Sequence, residues 1–304
     1  LITVVFASFN GERTLPIMLE AFCNLLIPDS GWEIIAVDNA STDQTANIIK
    51  SYQTKLPIRY LYEPIAGKNN ALNLALSVIR GQLIVFTDDD VVPDRDWLLS
   101  INTCAESRPD FAIFGGAIKP LWPRQPEEWI LQHVPLGITY ALTNENLPEG
   151  EISISSVWGP NMAIRRAVFD AGFRYNGNIG PDGSNNYAMG SESEFTKRLD
   201  KAGYKAWFCT EAIVQHIIRE NQLNPDWIVK RAFRYGRSMF TQTAAANTSS
   251  GFLWFGAPRW MIRKLLEHHA SLAIAVLSGN NIAKNIARWE INLMRGYLFE
   301  QRKK

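Results

Sequence analysis

Within its first 90 residues the sequence switches repeatedly between two hydrophobic periods, and that alternation restricts the fold more than any other feature. Four apolar runs of strand length, Ile2–Phe6, Glu33–Val37, Ile58–Tyr62 and Leu83–Phe86, alternate with Leu15–Leu26, Thr42–Tyr52 and Lys68–Ile79, where apolar residues recur at helical spacing. Crossover helices cover both faces of a parallel sheet, so its strands read as continuous apolar runs. The pattern predicts an α/β fold with a mostly parallel central sheet flanked by helices. Ser41-Thr42-Asp43-Gln44 has the form of a capping box and sets the start of the second helix. Asn10-Gly11 and Ala66-Gly67 are turn signals beyond strands one and three.

Farther along, the pattern loosens. Residues 111–183 carry seven prolines and many glycines, the composition of long loops that fold over a site. Glu192–Ala202 again has helical spacing, ended by Gly203. Beyond Pro225 the chain reads as wholly helical, with candidates at Trp227–Thr241, Trp260–Leu277 and Ile282–Phe299. The expected organisation is a domain over 1–224, with halves 1–90 and 91–224, and a helical C-terminal extension over 225–304.

Composition narrows the class. Of 304 residues 46% are hydrophobic and 20% charged, ordinary for a globular chain, which argues against disorder. The three cysteines, Cys23, Cys104 and Cys209, are too few and too scattered to suggest a disulfide framework, form no Cys-x-x-Cys pair, and fit a reducing compartment. The chain opens on Leu1 rather than Met, and Leu1–Phe6 has neither the basic leader nor the length of a signal peptide. No apolar stretch is long enough to span a bilayer. A cytoplasmic location follows as the expectation. The net charge of +1 hides an asymmetry: residues 225–304 hold 13 Lys or Arg against 4 Asp or Glu, and residues 1–224 hold 18 against 26. A basic C-terminal region suits anionic lipid or a diphosphate. It suits an ordinary solvated face equally well.

The polar residues that carry chemistry sit where an open parallel sheet binds ligands, beyond the carboxyl ends of its strands. Strand one leads to Ser8 and Asn10, strand two to Asp38 through Asp43, strand three to Gly67 and Lys68, and strand four to Asp88, Asp89 and Asp90. The absence of a Gly-x-Gly-x-x-Gly turn after strand one counts against a dinucleotide fold, and that of a Walker loop against an NTPase. Three adjacent ionised aspartates repel one another and call for a cation. Hard carboxylate oxygens suit Mg²⁺ or Mn²⁺, which bridge to substrate phosphates.

Together these segments resemble family 2 of the glycosyltransferases, with the GT-A fold, over about 220 residues from Ile2 onward. The resemblance rests on Val4 through Glu12, Val37 through Asp43, Gly67-Lys68 with Ala71-Leu72-Asn73, Phe86 through Asp90, and Gly190 through Phe195 in this order. It implies an inverting transferase that moves a sugar from a nucleoside-diphosphate sugar to an acceptor hydroxyl in polysaccharide or glycolipid synthesis. By the same resemblance Ser8, Asn10 and Asp38 meet the nucleoside base, and Gly67 and Lys68 lie along the nucleotide. Asp88 and Asp89 meet ribose or sugar, and Asn161, in Gly159-Pro160-Asn161-Met162, lies beneath the donor sugar. Asp90, with Asp88 and His216, is the metal set for Mn²⁺ or Mg²⁺. Glu192 stands where the family usually has an aspartate as catalytic base, with Glu194 the next candidate. A UDP-sugar is the default donor, GDP and dTDP remaining open, and the acceptor is a carbohydrate or a lipid-linked molecule. No nucleic-acid partner is expected.

Other readings stay open on the sequence alone. Lys68, His216 and the arginines at 219, 231, 234 and 237 also suit structural or solvated roles, and His268-His269 reads as surface. A nucleotidyltransferase would carry a better glycine-rich loop than Asn10-Gly11-Glu12-Arg13. A silent sugar-nucleotide-binding module has no need of intact Asp88, Asp90 and Glu192. The aromatics Phe252, Trp254, Phe255 and Trp260, interleaved with Arg259, Arg263 and Lys264, suit either a peripheral contact with the inner face of the cell membrane or packing, including a homo-oligomer interface.

Overall fold

The computed structural model describes residues 1–181, 187, 189–244, 253–254 and 257–303, with the backbone alone for 241–244, 253–254 and 257–258. The chain divides into two compact units. The first comprises Leu1–Leu121, Tyr140–Gly183 and Ser191–Ile217, and the second Trp122–Thr139, Ser184–Gly190 and Ile218–Lys304.

The first unit is built on one sheet. Its strands are β1 (Ile2–Ser8), β2 (Trp32–Asp38), β3 (Ile58–Tyr62), β4 (Leu83–Phe86), β5 (Val91–Pro93), β6 (Ile113–Leu121), β7 (Gly150–Ile152), β8 (Met162–Arg165) and β9 (Ala206–Ile217). They run in the order β3-β2-β1-β4-β8-β6-β9-β5, with β7 on β9. The four strands expected from the apolar runs pair in parallel, β3-β2-β1-β4. Beyond β4 the sheet becomes mixed: β8 lies antiparallel between β4 and β6, β6 and β9 are parallel, and β5 and β7 are antiparallel to β9. The sheet and its helices make a mixed α/β fold.

Helices α1 (Leu15–Cys23), α2 (Thr45–Ser51), α3 (Lys68–Leu76) and α4 (Trp97–Glu106) follow in chain order. Next come α5 (Glu128–His133) and α6 (Leu136–Tyr140), which belong to the second unit apart from Tyr140, and then α7 (Arg166–Asp170) and α8 (Ser191–Lys201) of the first. One core layer packs Ala71, Leu72, Ala75 and Leu76 of α3 with Phe169 of α7 and Phe195 and Leu199 of α8 against the strands. There Tyr175 stacks on Phe195 at 4.2 Å between ring centroids. Elsewhere Trp97 of α4 stacks on Phe22 of α1 at 6.1 Å, both wholly buried.

The structure corrects three local expectations. The second helix begins at Thr45, and Ser41 and Thr42 do not cap it: Asn10 N donates to Ser41 Oγ at 3.0 Å and Thr42 N donates to Asn10 Oδ1 at 2.8 Å. These two residues tie the β1 and β2 loops together, while Asp43 Oδ1 accepts from Thr45 N at 2.9 Å. A disulfide joins Cys104 of α4 to Cys209 of β9, with 6.2 Å between their Cα atoms. Spacing concealed it because 105 residues separate the two, and packing of the helix on the strand brings them together. The region 111–183 also holds more regular structure than its prolines suggest, including β6 and β8.

The second unit contains α9 (Pro225–Ala244), α10 (Arg259–Leu277) and α11 (Asn281–Gln301). It is not wholly helical beyond Pro225, since Leu253–Trp254 pairs antiparallel with Ala257–Pro258. Helices α9 and α11 cross at two glycines: a Cβ on Gly236 would lie 1.9 Å from Leu293 O, and one on Gly296 would lie 2.0 Å from Phe233 O. Phe252 and Phe255 lie outside the described residues, as does the side chain of Trp254. Among the described residues no helix is long and apolar enough to cross a membrane.

Candidate active site

Register delivers the first group of side chains. Ser8 pairs with Asp38 across β1 and β2, and Val5 with Phe86 across β1 and β4, so the three strand ends release their polar residues side by side. Thr87 N still bonds Val5 O at 3.1 Å, which holds the start of the acidic turn to the sheet. Thr87 Oγ1 donates to Pro160 O at 2.9 Å and joins that turn to the 159–161 segment.

Each of the three aspartates has a different partner. Asp88 Oδ1 lies 2.6 Å from Lys68 Nζ. Asp89 Oδ2 accepts a hydrogen bond from Ser8 Oγ. Asp90 Oδ1 lies 3.2 Å from His216 Nε2. Gly11 permits the second of these contacts, since a Cβ there would lie 2.3 Å from Ser8 Oγ and 2.5 Å from Asp89 Oδ2. The third depends on β5: Val91 pairs with His216 and Ile217 N donates to Asp90 O at 2.8 Å, which places the histidine opposite the aspartate. His216 is buried, and its Nδ1 lies 2.6 Å from Tyr140 O. A carbonyl and a carboxylate can only accept, so Nδ1–H donates to Tyr140 O and Nε2 faces Asp90 as a protonated donor, a proton it would give up to bind a cation. Burial depresses the histidine pKa, but the Asp90 carboxylate outweighs it and the net direction is upward.

Lys68 joins the acidic turn to α8. Its Nζ contacts Glu192 Oε1 at 3.1 Å as well as Asp88. Burial alone would lower the ammonium pKa, yet the two carboxylates raise it well above its ordinary value. Burial likewise penalises ionised Glu192, but Lys68, the Ser191 hydroxyl at 2.7 Å and backbone hydrogen bonding prevail, and its pKa falls from 4.5 to about 2. Gly159 lets the chain pass close to this carboxylate, since a Cβ there would lie 2.8 Å from Glu192 Oε1. Glu194 is engaged elsewhere, with Arg198 Nε at 2.7 Å one helical turn on.

Several supporting residues were not visible in the sequence. Tyr60 on β3 donates its hydroxyl to Asp38 Oδ2 at 3.0 Å, and burial together with that bond pushes its own pKa up to about 12. Asp38 Oδ1 meanwhile accepts from Ser41 N at 3.0 Å across a turn in which Ala40 takes φ +58°. A left-handed alanine costs roughly 1–2 kcal/mol, so the turn is over-determined by these bonds. Asn39 donates to Ile65 O at 2.8 Å and accepts from Gly67 N at 2.8 Å, which pins the loop that presents Lys68. A tyrosine on the strand flanking an aspartate-bearing strand was the only available hint of the first role.

Asn161 departs from the expected arrangement. It is wholly buried, accepts from Trp97 Nε1 at 2.9 Å, and donates to Ala117 O at 2.9 Å and Ala212 O at 2.7 Å. Those bonds use both amide hydrogens, so the side chain braces the sheet and has none left for a donor sugar. Asn10 sits at the exposed rim, and its carbonyl oxygen is taken by Thr42 N.

Among the described residues no three His, Cys, Asp or Glu side chains are grouped to hold a metal ion. The smaller set of Asp90 and His216 nevertheless suits Mg²⁺ or Mn²⁺, which take one or two protein carboxylates and complete their shell with substrate phosphates and water. The Nδ1 bond to Tyr140 O is also the outer contact that orients a ligating imidazole.

Comparison with known proteins identifies the family and the fold. The chain is 26% identical over 160 residues to a glucosyl-dolichyl phosphate glucuronosyltransferase of Haloferax volcanii, covering 52% of the chain and 50% of that protein. It is 24% identical over 244 residues to the glycosyltransferase AglE of the same organism, covering 78% of the chain and 72% of that protein. The chain thus spans half the length of the first of these relatives. Its fold matches that of the mannosyltransferase PcManGT from Pyrobaculum calidifontis, solved with GDP-Man and Mn²⁺, at a TM-score of 0.59 and 19% identity over 100% of the chain and 86% of that protein. The profile of glycosyl transferase family 2 matches residues 3–173, more than half of the sequence, and the chain belongs to that family.

Proposed function

We propose that this protein is an inverting glycosyltransferase that moves a sugar from a nucleoside-diphosphate sugar to an acceptor hydroxyl. The observation that carries the reading is Lys68, which ties the first carboxylate of the acidic turn to Glu192 at the head of α8. Glu192 is the general base. Being ionised at physiological pH, it accepts the acceptor hydroxyl proton as the oxygen attacks the anomeric carbon from the face opposite the leaving group. One displacement inverts that carbon and needs no covalent sugar–enzyme intermediate. A carboxylate with a pKa near 2 is a weak base, and catalysis favours one nearer the working pH. A donor diphosphate that draws Lys68 toward itself removes the charge that depresses Glu192, so donor binding primes the base.

Ser8 and Asp38 face the nucleoside, the latter oriented by Tyr60. Gly67 and Lys68 lie along the nucleotide, and Asp88 and Asp89 meet the ribose or sugar. Asp90 and His216 hold Mn²⁺ or Mg²⁺, with Asp88 neighbouring them. When bound, the ion neutralises the charge that develops on the departing diphosphate. UDP is the default nucleotide, and the GDP-Man of the Pyrobaculum neighbour places GDP beside it for testing. The glucuronosyltransferase relative, whose name includes a dolichyl phosphate, supports a lipid-linked acceptor.

A peripheral membrane contact is the companion proposal. On α10 the exposed Trp260, Leu266, Ile274 and Leu277 accompany the exposed Arg263 and Lys264, the pairing an interfacial helix uses.

Incubation with UDP-, GDP- and dTDP-sugars plus Mn²⁺ tests the central reading. Slow release of nucleoside diphosphate is expected. Exchange of pyrophosphate would indicate a nucleotidyltransferase, and binding without turnover a silent module.

A further inference from the structure

Two partly buried arginines of the second unit have an acidic partner. Arg237 pairs with Glu300 between α9 and α11, and Arg288 pairs with Asp226. Arg231 and Arg234 differ. They stand three residues apart on α9, on one face of the helix, and both are partly buried. Their described contacts are aromatic: Arg231 lies 5.8 Å from the Trp227 ring centroid and Arg234 lies 5.0 Å from that of Tyr187. Arg231 also reaches the Tyr187 hydroxyl at 3.4 Å. Its Nε is buried with no hydrogen-bond partner. Burial, and after it the charge of Arg231, holds the Arg234 pKa below its usual value, although Tyr187 offsets part of this.

Two like charges withdrawn from water side by side are costly, and a buried guanidinium N–H without an acceptor adds to that cost. An anion placed between them removes both penalties. The planar guanidinium fork matches the oxygen spacing of phosphate, and two forks converging on one group bind it more selectively than dispersed lysines. Tyr187 supplies a hydroxyl at the same place. It stands four residues ahead of Ser191, where α8 and its Glu192 begin.

We infer that Arg231 and Arg234, with Tyr187, form a phosphate site on α9 that takes the phosphate group of a phosphate-bearing acceptor. The word acceptor rests on the transferase reading, whereas the phosphate site itself does not.

The test uses the full chain and three probes: inorganic phosphate, farnesyl phosphate as a soluble lipid phosphate, and UDP with Mn²⁺. Affinities are measured by calorimetry for wild type, for the Arg231→Gln, Arg234→Gln double variant, and for Lys230→Gln, which removes an exposed charge one residue away. The double variant is expected to lose at least tenfold in affinity for farnesyl phosphate and to bind UDP as wild type does, with Lys230→Gln unchanged. An equal loss in Lys230→Gln, or no loss in the double variant, would overturn the site. A loss confined to inorganic phosphate, or shared with UDP, would overturn its assignment to the acceptor. Should the double variant not fold, the wild-type protein serves: farnesyl phosphate should protect Arg231 and Arg234 from phenylglyoxal, read by mass spectrometry, and absence of protection would overturn the site. If nucleotide-sugar turnover fails while farnesyl phosphate still binds through these arginines, the transferase reading is lost and the phosphate site stands.

Discussion

Lys68 Nζ lies 3.1 Å from Glu192 Oε1, although 124 residues separate the two in sequence. The contact keeps the carboxylate ionised and also masks it. Glu192→Gln is expected to retain donor binding and to lose about 10²–10⁴-fold in turnover, the scale of a general base. Turnover near the wild-type level would move the role to another residue.

The same contact predicts an acid dependence of stability. The Glu192 pKa is depressed in the folded state, from 4.5 to about 2, so its stabilising contribution is fully present above pH 4.5 and is lost as the pH falls toward 2. Unfolding in urea followed across this window should show wild type losing more stability than Glu192→Gln. Parallel pH profiles for the two would contradict the pairing.

Asp90 and His216 face each other at 3.2 Å at one end of β9, and they are the residues that would hold the proposed ion. Asp90→Asn should abolish the Mn²⁺-dependent part of nucleotide binding while the far-ultraviolet circular dichroism stays unchanged. Equal UDP affinity with and without Mn²⁺ in wild type would remove the metal from this site.

The glycine crossing of α9 and α11 makes a stability prediction independent of catalysis. At Gly236 an alanine Cβ would meet the Leu293 carbonyl at 1.9 Å, against backbone that cannot rotate away. Overpacking of this kind costs about 1–3 kcal/mol or more. Gly236→Ala should therefore lower the melting temperature by several degrees. An unchanged melting curve would show that the helices part without cost.

The exposed apolar residues of α10 predict binding to anionic vesicles. Co-sedimentation should rise with anionic lipid, weaken with salt, and fall in a Trp260→Ser, Leu266→Ser double variant. Absence of binding at low salt by the folded protein would sink the membrane contact.

Much of the fold was legible without coordinates, because its signals are local. Continuous apolar runs mark β1 to β4, and the spacings at Leu15, Lys68 and Glu192 mark α1, α3 and α8 to within a few residues. The Asp88–Asp90 cluster was legible as an acidic turn at a strand end, whereas its pairing with Lys68, Ser8 and His216 was not. Strands β5 and β7, of three residues each, are too short to show any period, and β8 reads as part of a loop-rich region. What only tertiary structure decided is partnership. The placement of His216 opposite Asp90 depends on the register of β5 against β9. The Cys104–Cys209 bond, the support of Asp38 by Tyr60, the use of Asn161 as a brace and the clustering of Arg231 with Arg234 around Tyr187 likewise depend on packing. Sequence periodicity reports which face of an element is apolar, whereas pairing depends on how separate elements align, and residues far apart in the chain carry no local trace of that alignment.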